Sequence, residues 1–125
     1  MNKDKILKKS NQFTQIIKQN ICIKNYNFSI YIQKSNDTLY GITVPKKIGK
    51  AHIRNKIKRQ IKNIITNNEK DITKNINYVI IIRKDITKLD YLKVESELIS
   101  LMKKVSKKWK ITNLKYLLYF FVYFL

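Results

Sequence analysis

An α+β fold is predicted by three patterns in this 125-residue chain. Residues 26–33 alternate apolar and polar, residues 78–82 form an unbroken apolar run rich in β-branched side chains, and isoleucines recur at helical spacing across residues 52–66. The length suits one domain, and a hydrophobic content of 44% is enough for a small core.

The elements follow in order. Ser10 or Asn11 can cap a short helix on which Phe13, Ile16 and Ile17 share a face, with residues 18–20 ending it. In the strand at 26–33, Phe28, Ile30 and Ile32 point one way, while Tyr26 and Tyr31 differ in parity and leave the faces uneven. Ser35-Asn36-Asp37 marks residues 34–38 as a hairpin turn into a second strand at 39–44. Pro45 stops that strand, and Gly49 offers a backbone position free of Cβ constraint before the next helix. Residues 67–75 are a polar loop. The run Tyr78-Val79-Ile80-Ile81-Ile82 reads as a central strand buried on both faces. Leu89, Leu92, Leu98, Leu101 and Met102 then give a last helix over 89–104. No internal repeat or linker interrupts this order.

Charge bounds the function. The chain carries 27 Lys and Arg against 8 Asp and Glu, a net charge of +19, and self-repulsion of that size is tolerated chiefly when an anionic partner neutralises it. Its focus is residues 46–62, which hold eight cations and no acid. At 100° per residue, Ile53, Ile57, Ile61 and Ile64 fall within about 80° of one another. That stripe makes 52–66 an amphipathic helix and forces its cations outward. Arg54, Asn55, Lys58 and Lys62 form one flank, and Lys56 and Arg59 project from the other, so the helix can touch two phosphate-bearing objects at once. A merely solvated helix would interleave acids for i,i+4 pairing, and this one has none.

Other chemistry is sparse. Cys22 is the single cysteine, which excludes a disulfide framework or a Cys-rich zinc site and suits a reducing, cytoplasmic setting. Cys22 itself reads as a small strand residue. The charged residues 1–9 do not form a signal peptide. The eight acids are scattered through loops and the last helix, without the converging carboxylates of a two-metal phosphodiesterase. His52 is unpaired with any second His or carboxylate and reads as a phosphate contact or helix-start residue. No catalytic residue and no metal ligand is expected in this chain.

Thr43-Val44-Pro45-Lys46-Lys47-Ile48-Gly49-Lys50-Ala51, followed by Arg54-Asn55-Lys56-Ile57-Lys58-Arg59, resembles the signature of the bacterial ribonuclease P protein component. The similarity extends in register from Leu7-Lys8-Lys9 and Phe13, through Asn25, Phe28 and Tyr31, to residues 78–84 and Leu89-Asp90-Tyr91. It covers roughly residues 5–105. The resemblance implies a small two-layer α/β sandwich with a mostly antiparallel sheet and a left-handed β-α-β crossover, against the usual right-handed rule. It also implies function: with a catalytic RNA subunit and Mg2+ bound mainly by that RNA, the protein assists endonucleolytic removal of the 5′ leader from precursor tRNA. The implied partners are ribonuclease P RNA and precursor tRNA.

Carried over residue by residue, the resemblance places Phe13, Ile17 and Tyr31 in a cleft for the single-stranded leader, beside Arg54, Asn55, Lys58 and Lys62. Lys46, Lys47, Lys50, His52, Lys56 and Arg59 complete the RNA-binding set. Stacking plus backbone neutralisation holds a strand without reading its sequence. Three positions depart from the family pattern. Lys56 replaces the second Arg of an Arg-Asn-Arg motif and loses the planar fork. Ile17 stands where a second cleft aromatic is usual. Pro45 replaces a small polar residue and removes a backbone donor.

Residues 1–107 form the expected RNA-binding domain, and residues 108–125 an extension that the family pattern does not call for. After Lys107-Lys108-Trp109-Lys110, residues 116–125 are wholly apolar or aromatic. The run falls short of the roughly 20 residues a spanning helix needs, so no stable membrane insertion is expected, although tyrosines flanked by lysines suit a headgroup boundary. Two other classes share parts of the pattern. A general or ribosomal RNA-binding protein would be equally basic but would lack an aromatic cleft beside the helix. A membrane-surface protein would rely on the lysines and the aromatic tail.

Overall fold

The computed structural model describes residues 3–124, with side chains described for residues 4–105 and for Leu118, Tyr119, Phe121, Val122 and Tyr123. Four strands and three α-helices make the fold: α1 (Ser10–Gln19), β1 (Cys22–Lys24), β2 (Phe28–Lys34), β3 (Leu39–Thr43), α2 (Ala51–Asn67), β4 (Ile76–Ile82) and α3 (Tyr91–Phe124). Short 3-10 turns precede α1 and flank α2 at Lys46–Ile48 and Glu69–Asp71.

The sheet order is β1-β2-β4-β3. The pairs β1·β2 and β2·β4 are antiparallel, and β3·β4 is parallel, so α2 is the crossover between two parallel neighbours. Residues 34–38 therefore do not make a hairpin: β4 lies between β2 and β3. The loop is instead fastened to the start of β4, where Ser35 N donates to Asn75 O at 3.0 Å and Asn75 N donates to Thr38 Oγ1 at 2.8 Å. Asn75 itself adopts a left-handed conformation, φ 62°, which a short polar side chain tolerates. The hairpin in this sheet is β1–β2, at a strand the sequence did not mark. Its turn is built by Asn25, whose Oδ1 accepts from the backbone of Asn27 at 3.1 Å and Phe28 at 2.9 Å.

Parity in β2 is clean. Phe28, Ile30 and Ile32 are buried and Ser29, Tyr31 and Gln33 only half-buried, because Tyr26, the source of the expected unevenness, lies outside the strand. With Tyr78, Ile80 and Ile82 of β4, the buried side packs against Ile57, Ile61, Ile64 and Ile65 of α2 and Val94, Leu98, Leu101, Met102 and Val105 of α3. This is the main core, and full burial of an aliphatic side chain contributes roughly 1.5–3 kcal/mol each. Tyr40 and Tyr78 stack within it, centroids 5.5 Å apart. Helix α1 lies on the opposite side of the sheet, where Ile16, Leu7 and Val79 are buried and Phe13, Tyr31, Leu39 and Ile81 pack partly against them. β4 is thus covered on both faces, as its apolar run predicts.

Several local expectations change. Lys9, in extended conformation, precedes α1 without a side-chain cap, so neither Ser10 nor Asn11 caps it. Asn20, φ 56°, ends it. Gly49 is extended (φ 166°), a conformation open to any residue. Its lack of a side chain serves packing, since a Cβ would lie 3.2 Å from Ile53 Cγ2. Leu92 is 67% exposed and Leu89 precedes α3, so Val94 and Ile99 share the buried stripe with Leu98, Leu101 and Met102. α3 continues unbroken past residue 107. Of the extension singled out in the sequence, the side chains of Lys107, Lys108, Trp109, Lys110 and Tyr116 lie outside the described residues.

Candidate nucleic-acid interface

The basic helix is launched by a tight turn. Pro45, φ −59°, accepts a 3.0 Å hydrogen bond from Ile48 N. The fixed φ of Pro45 suits entry into a helical turn. Lys46, Lys47 and Lys50 stand exposed around this turn, and α2 begins with no acid in its first turn. Its unpaired N-terminal amides add partial positive charge to the same place.

Beyond the turn, the isoleucine stripe anchors α2 and leaves its cations on the outside. His52, Asn55, Lys58, Arg59 and Lys62 line one shallow groove along the helix. A second groove runs between the other flank and the start of α3, lined by Lys56, Arg59, Gln60, Asn63, Leu89 and Tyr91. The grooves follow the helical wheel for Asn55, Lys58 and Lys62 on one side and Lys56 on the other, but Arg59 borders both and Arg54 lines neither; Gln60, Asn63 and Tyr91 were not singled out from sequence because their partner wall comes from residues distant in the chain. Among the described residues, no salt bridge joins an α2 cation to a carboxylate.

The opposite flank carries Arg54. α2 packs over β3 while α3 packs over β1 and β2, so the flank turned away from α3 overhangs the outer edge of the sheet. Arg54 is half-buried there, and its Nε is enclosed without a hydrogen-bond partner. A buried donor left unpaired costs on the order of 1–3 kcal/mol.

Across that edge lies the α1 side of the sheet. Cross-strand pairing puts Cys22, Tyr31, Val79 and Gly41 in one row over all four strands. Phe13 of α1 sits on the Gly41 end, its ring so close that a Cβ on Gly41 would meet it at 2.5 Å. Tyr31 stands further along the row, half-buried beside Cys22. The Cys22 thiol beside it, with lesser contributions from burial and a hydrogen bond to the same thiol, raises the Tyr31 phenol above its ordinary value. A neutral ring does not repel phosphate. Gly41, a glycine inside a strand, is the signal that could have located this close approach from sequence.

Ile17 departs from the expected grouping. It is 38% exposed while Ile16 is fully buried, because the inward stripe of α1 runs through Phe13 and Ile16 and leaves Ile17 at its rim. The first helix thus contributes one aromatic, Phe13, and a partly exposed aliphatic edge.

Four of the eight carboxylates are engaged within the fold. Glu69 pairs with Lys5 at 2.9 Å, Glu95 accepts from Asn68 at 3.2 Å, and Glu97 holds the buried Asn27 side chain. Asp85 accepts from Thr87, whose hydroxyl hydrogen bond chiefly lowers the Asp85 pKa. Among the described residues, no group of three His, Cys, Asp or Glu side chains is placed to hold a metal ion.

The family model for ribonuclease P matches residues 1–106. A ribonuclease P protein component from Mycoplasma mycoides subsp. mycoides is 39% identical over 108 residues, spanning 84% of this chain and 99% of the relative. One from a Geobacillus species is 32% identical over 107 residues, covering 83% and 92%. Among solved structures, the RNase P protein from Thermotoga maritima superposes with a TM-score of 0.74 at 32% identity, covering 78% of this chain and 94% of that one. The Staphylococcus aureus RNase P protein gives 0.73 at 28% identity, covering 81% and 94%.

Proposed function

From the premise that this chain belongs to the ribonuclease P protein family and serves as a protein subunit of ribonuclease P, we propose that it binds the catalytic RNA with α2 and its entry turn and holds the 5′ leader of precursor tRNA on the α1 side of the sheet. What supports this reading is a basic α2 flank, Arg54, Lys58 and Lys62, that no salt bridge among the described residues engages, together with the half-buried aromatics Phe13 and Tyr31 on the α1 face of the sheet. Lysine and arginine neutralise leader phosphates while the two rings offer faces to unstacked bases. Lys46, Lys47, Lys50, His52, Lys56 and Arg59 serve phosphates of the RNA subunit, with the charge-dependent affinity such contacts bring. Asn55 lines the same groove as an uncharged hydrogen-bonding group.

Hydrolysis of the phosphodiester bond belongs to the RNA. Mg2+ supplies charge neutralisation and an activated water when bound, and the RNA, not this chain, provides its ligands. The structural use of Glu69, Glu95, Glu97 and Asp85 supports that division. The protein's contribution is to orient the leader and so place the scissile bond. The setting for this work is the cytoplasm.

The test compares binding of leader-bearing and leaderless tRNA to the holoenzyme. The chain should favour the leader-bearing form, and that preference should fall in Tyr31→Ala. Equal affinity for both ligands would instead favour a general RNA-binding protein.

A further inference from the structure

α3 continues to Phe124, whereas the family match ends at residue 106. Its buried stripe is recorded through Val105, the last buried side chain among the described residues. Farther along, Leu118, Tyr119, Phe121, Val122 and Tyr123 are each 61–72% exposed. At 100° per residue these five positions span about 200° of the helix circumference. A helix packed on a sheet hides one side, whereas these five exposed side chains are spread over more than half of the helix circumference.

The sequence around it is just as one-sided. From residue 98 onward there are six lysines, Lys103, Lys104, Lys107, Lys108, Lys110 and Lys115, and no acid, and from residue 116 onward no side chain is charged. A contiguous exposed apolar surface of this kind marks an interaction site. Two occupants fit an apolar helix end, a second copy of the chain or a lipid surface, and charge separates them. A second copy would bring another +19 against the lysine stretch, whereas anionic headgroups would neutralise it. Lysine stems and tyrosine rings also suit the boundary between headgroups and acyl chains. No helix among the described residues is long and apolar enough to cross a membrane.

We propose that the exposed apolar side chains Leu118, Tyr119, Phe121, Val122 and Tyr123 of α3, in a lysine-rich and acid-free sequence context, form a reversible anchor on an anionic lipid surface. The leader row lies on the face of the sheet opposite α3.

The test is sedimentation of the RNA-free full chain with vesicles of equal parts phosphatidylglycerol and phosphatidylcholine, beside vesicles of phosphatidylcholine alone. The chain should pellet with the mixed vesicles and not with the neutral ones. Leu118→Asp combined with Val122→Asp should weaken the binding about tenfold or more, since charged side chains are costly in the acyl region, while precursor tRNA binding by the holoenzyme is retained. In the unsubstituted chain, emission from Trp109, the single tryptophan, should shift to the blue on mixing with anionic vesicles, a readout that needs no variant. Absence of pelleting, unshifted emission, or a double variant that binds as tightly as the parent would overturn the anchor. So would a dimer in lipid-free solution that the double variant abolishes, which would give the segment to a second copy.

Discussion

The ring of Phe13 rests on Gly41 so closely that a methyl group there would come within 2.5 Å of Phe13 Cε1 and Cζ. A helix residue and an edge-strand residue 28 positions apart in the sequence thereby fix the spacing between α1 and the sheet, and with it the row that contains Tyr31. Gly41→Ala should destabilise the fold by about 1–3 kcal/mol, the usual cost of overpacking, and should also weaken leader binding because Phe13 must move. Urea denaturation and leader affinity check this together. Unchanged values in both would show that Phe13 is not seated there.

Tyr31 offers its ring on the side of β2 that faces away from the main core. Tyr31→Ala should therefore leave the fold intact and cost about 1–3 kcal/mol of affinity for leader-bearing substrate, the scale of one base stacked on an aromatic. Mature tRNA should bind nearly as before. Equal weakening for both ligands would remove the leader assignment from this ring. Ile17→Phe, at the exposed rim of α1, should strengthen leader binding by adding a stacking face.

The acid-free helix predicts a steep salt dependence. Log affinity for the RNA subunit should fall with log salt by roughly 0.7–0.9 per phosphate contacted. Arg54→Ala, Lys58→Ala and Arg59→Ala should each weaken binding and flatten the slope by about one contact. Slopes unchanged in all three variants would contradict the assigned surface.

Stability should fall at high pH through the buried tyrosines. Burial first, and the charge of Glu69 second, push the Tyr40 hydroxyl up from 10.0 to about 12. Burial likewise raises Tyr78, with the neighbouring Tyr40 adding to the shift. A phenol whose folded pKa exceeds its unfolded value contributes stability that is fully present below pH 10. That stability is lost as pH rises toward 12, because the unfolded chain gives up its proton first. Tyr40→Phe should flatten the loss between pH 10 and 12 relative to the parent, as read from denaturation midpoints. Parallel pH profiles would contradict it.

What the sequence revealed is what local periodicity carries. The stripe Ile53, Ile57, Ile61 and Ile64 forms the inner side of α2, and the apolar run at 78–82 sits where such a run must, covered on both faces. Which strands pair is a matter of residues far apart, so the turn chemistry of Ser35-Asn36-Asp37 suggested a hairpin that the insertion of β4 rules out. β1 is three residues long and leaves almost no pattern. Parity correctly separated Tyr31 from Phe28, Ile30 and Ile32, whereas spacing alone put Ile17 beside Phe13 and Ile16 because a helical wheel does not say how wide the covered stripe is. Gln60, Asn63 and Tyr91 were invisible as a group, since α2 and α3 supply opposite walls of one groove.

The central claim is that this chain positions RNA and leaves the chemistry to its partner. The direct measurement is cleavage of precursor tRNA at moderate salt with Mg2+ by the purified protein alone, by the cognate RNA alone and by the two together. The protein alone should be inactive, and the mixture should cut once, at the 5′ end of the mature tRNA, faster than the RNA by itself. In that mixture His52→Ala should cost far less than the roughly 10²- to 10⁴-fold expected for loss of a general acid or base. Specific cleavage by rigorously RNA-free protein, or loss of cleavage in His52→Ala with binding intact, would place an active site in this chain and contradict the account.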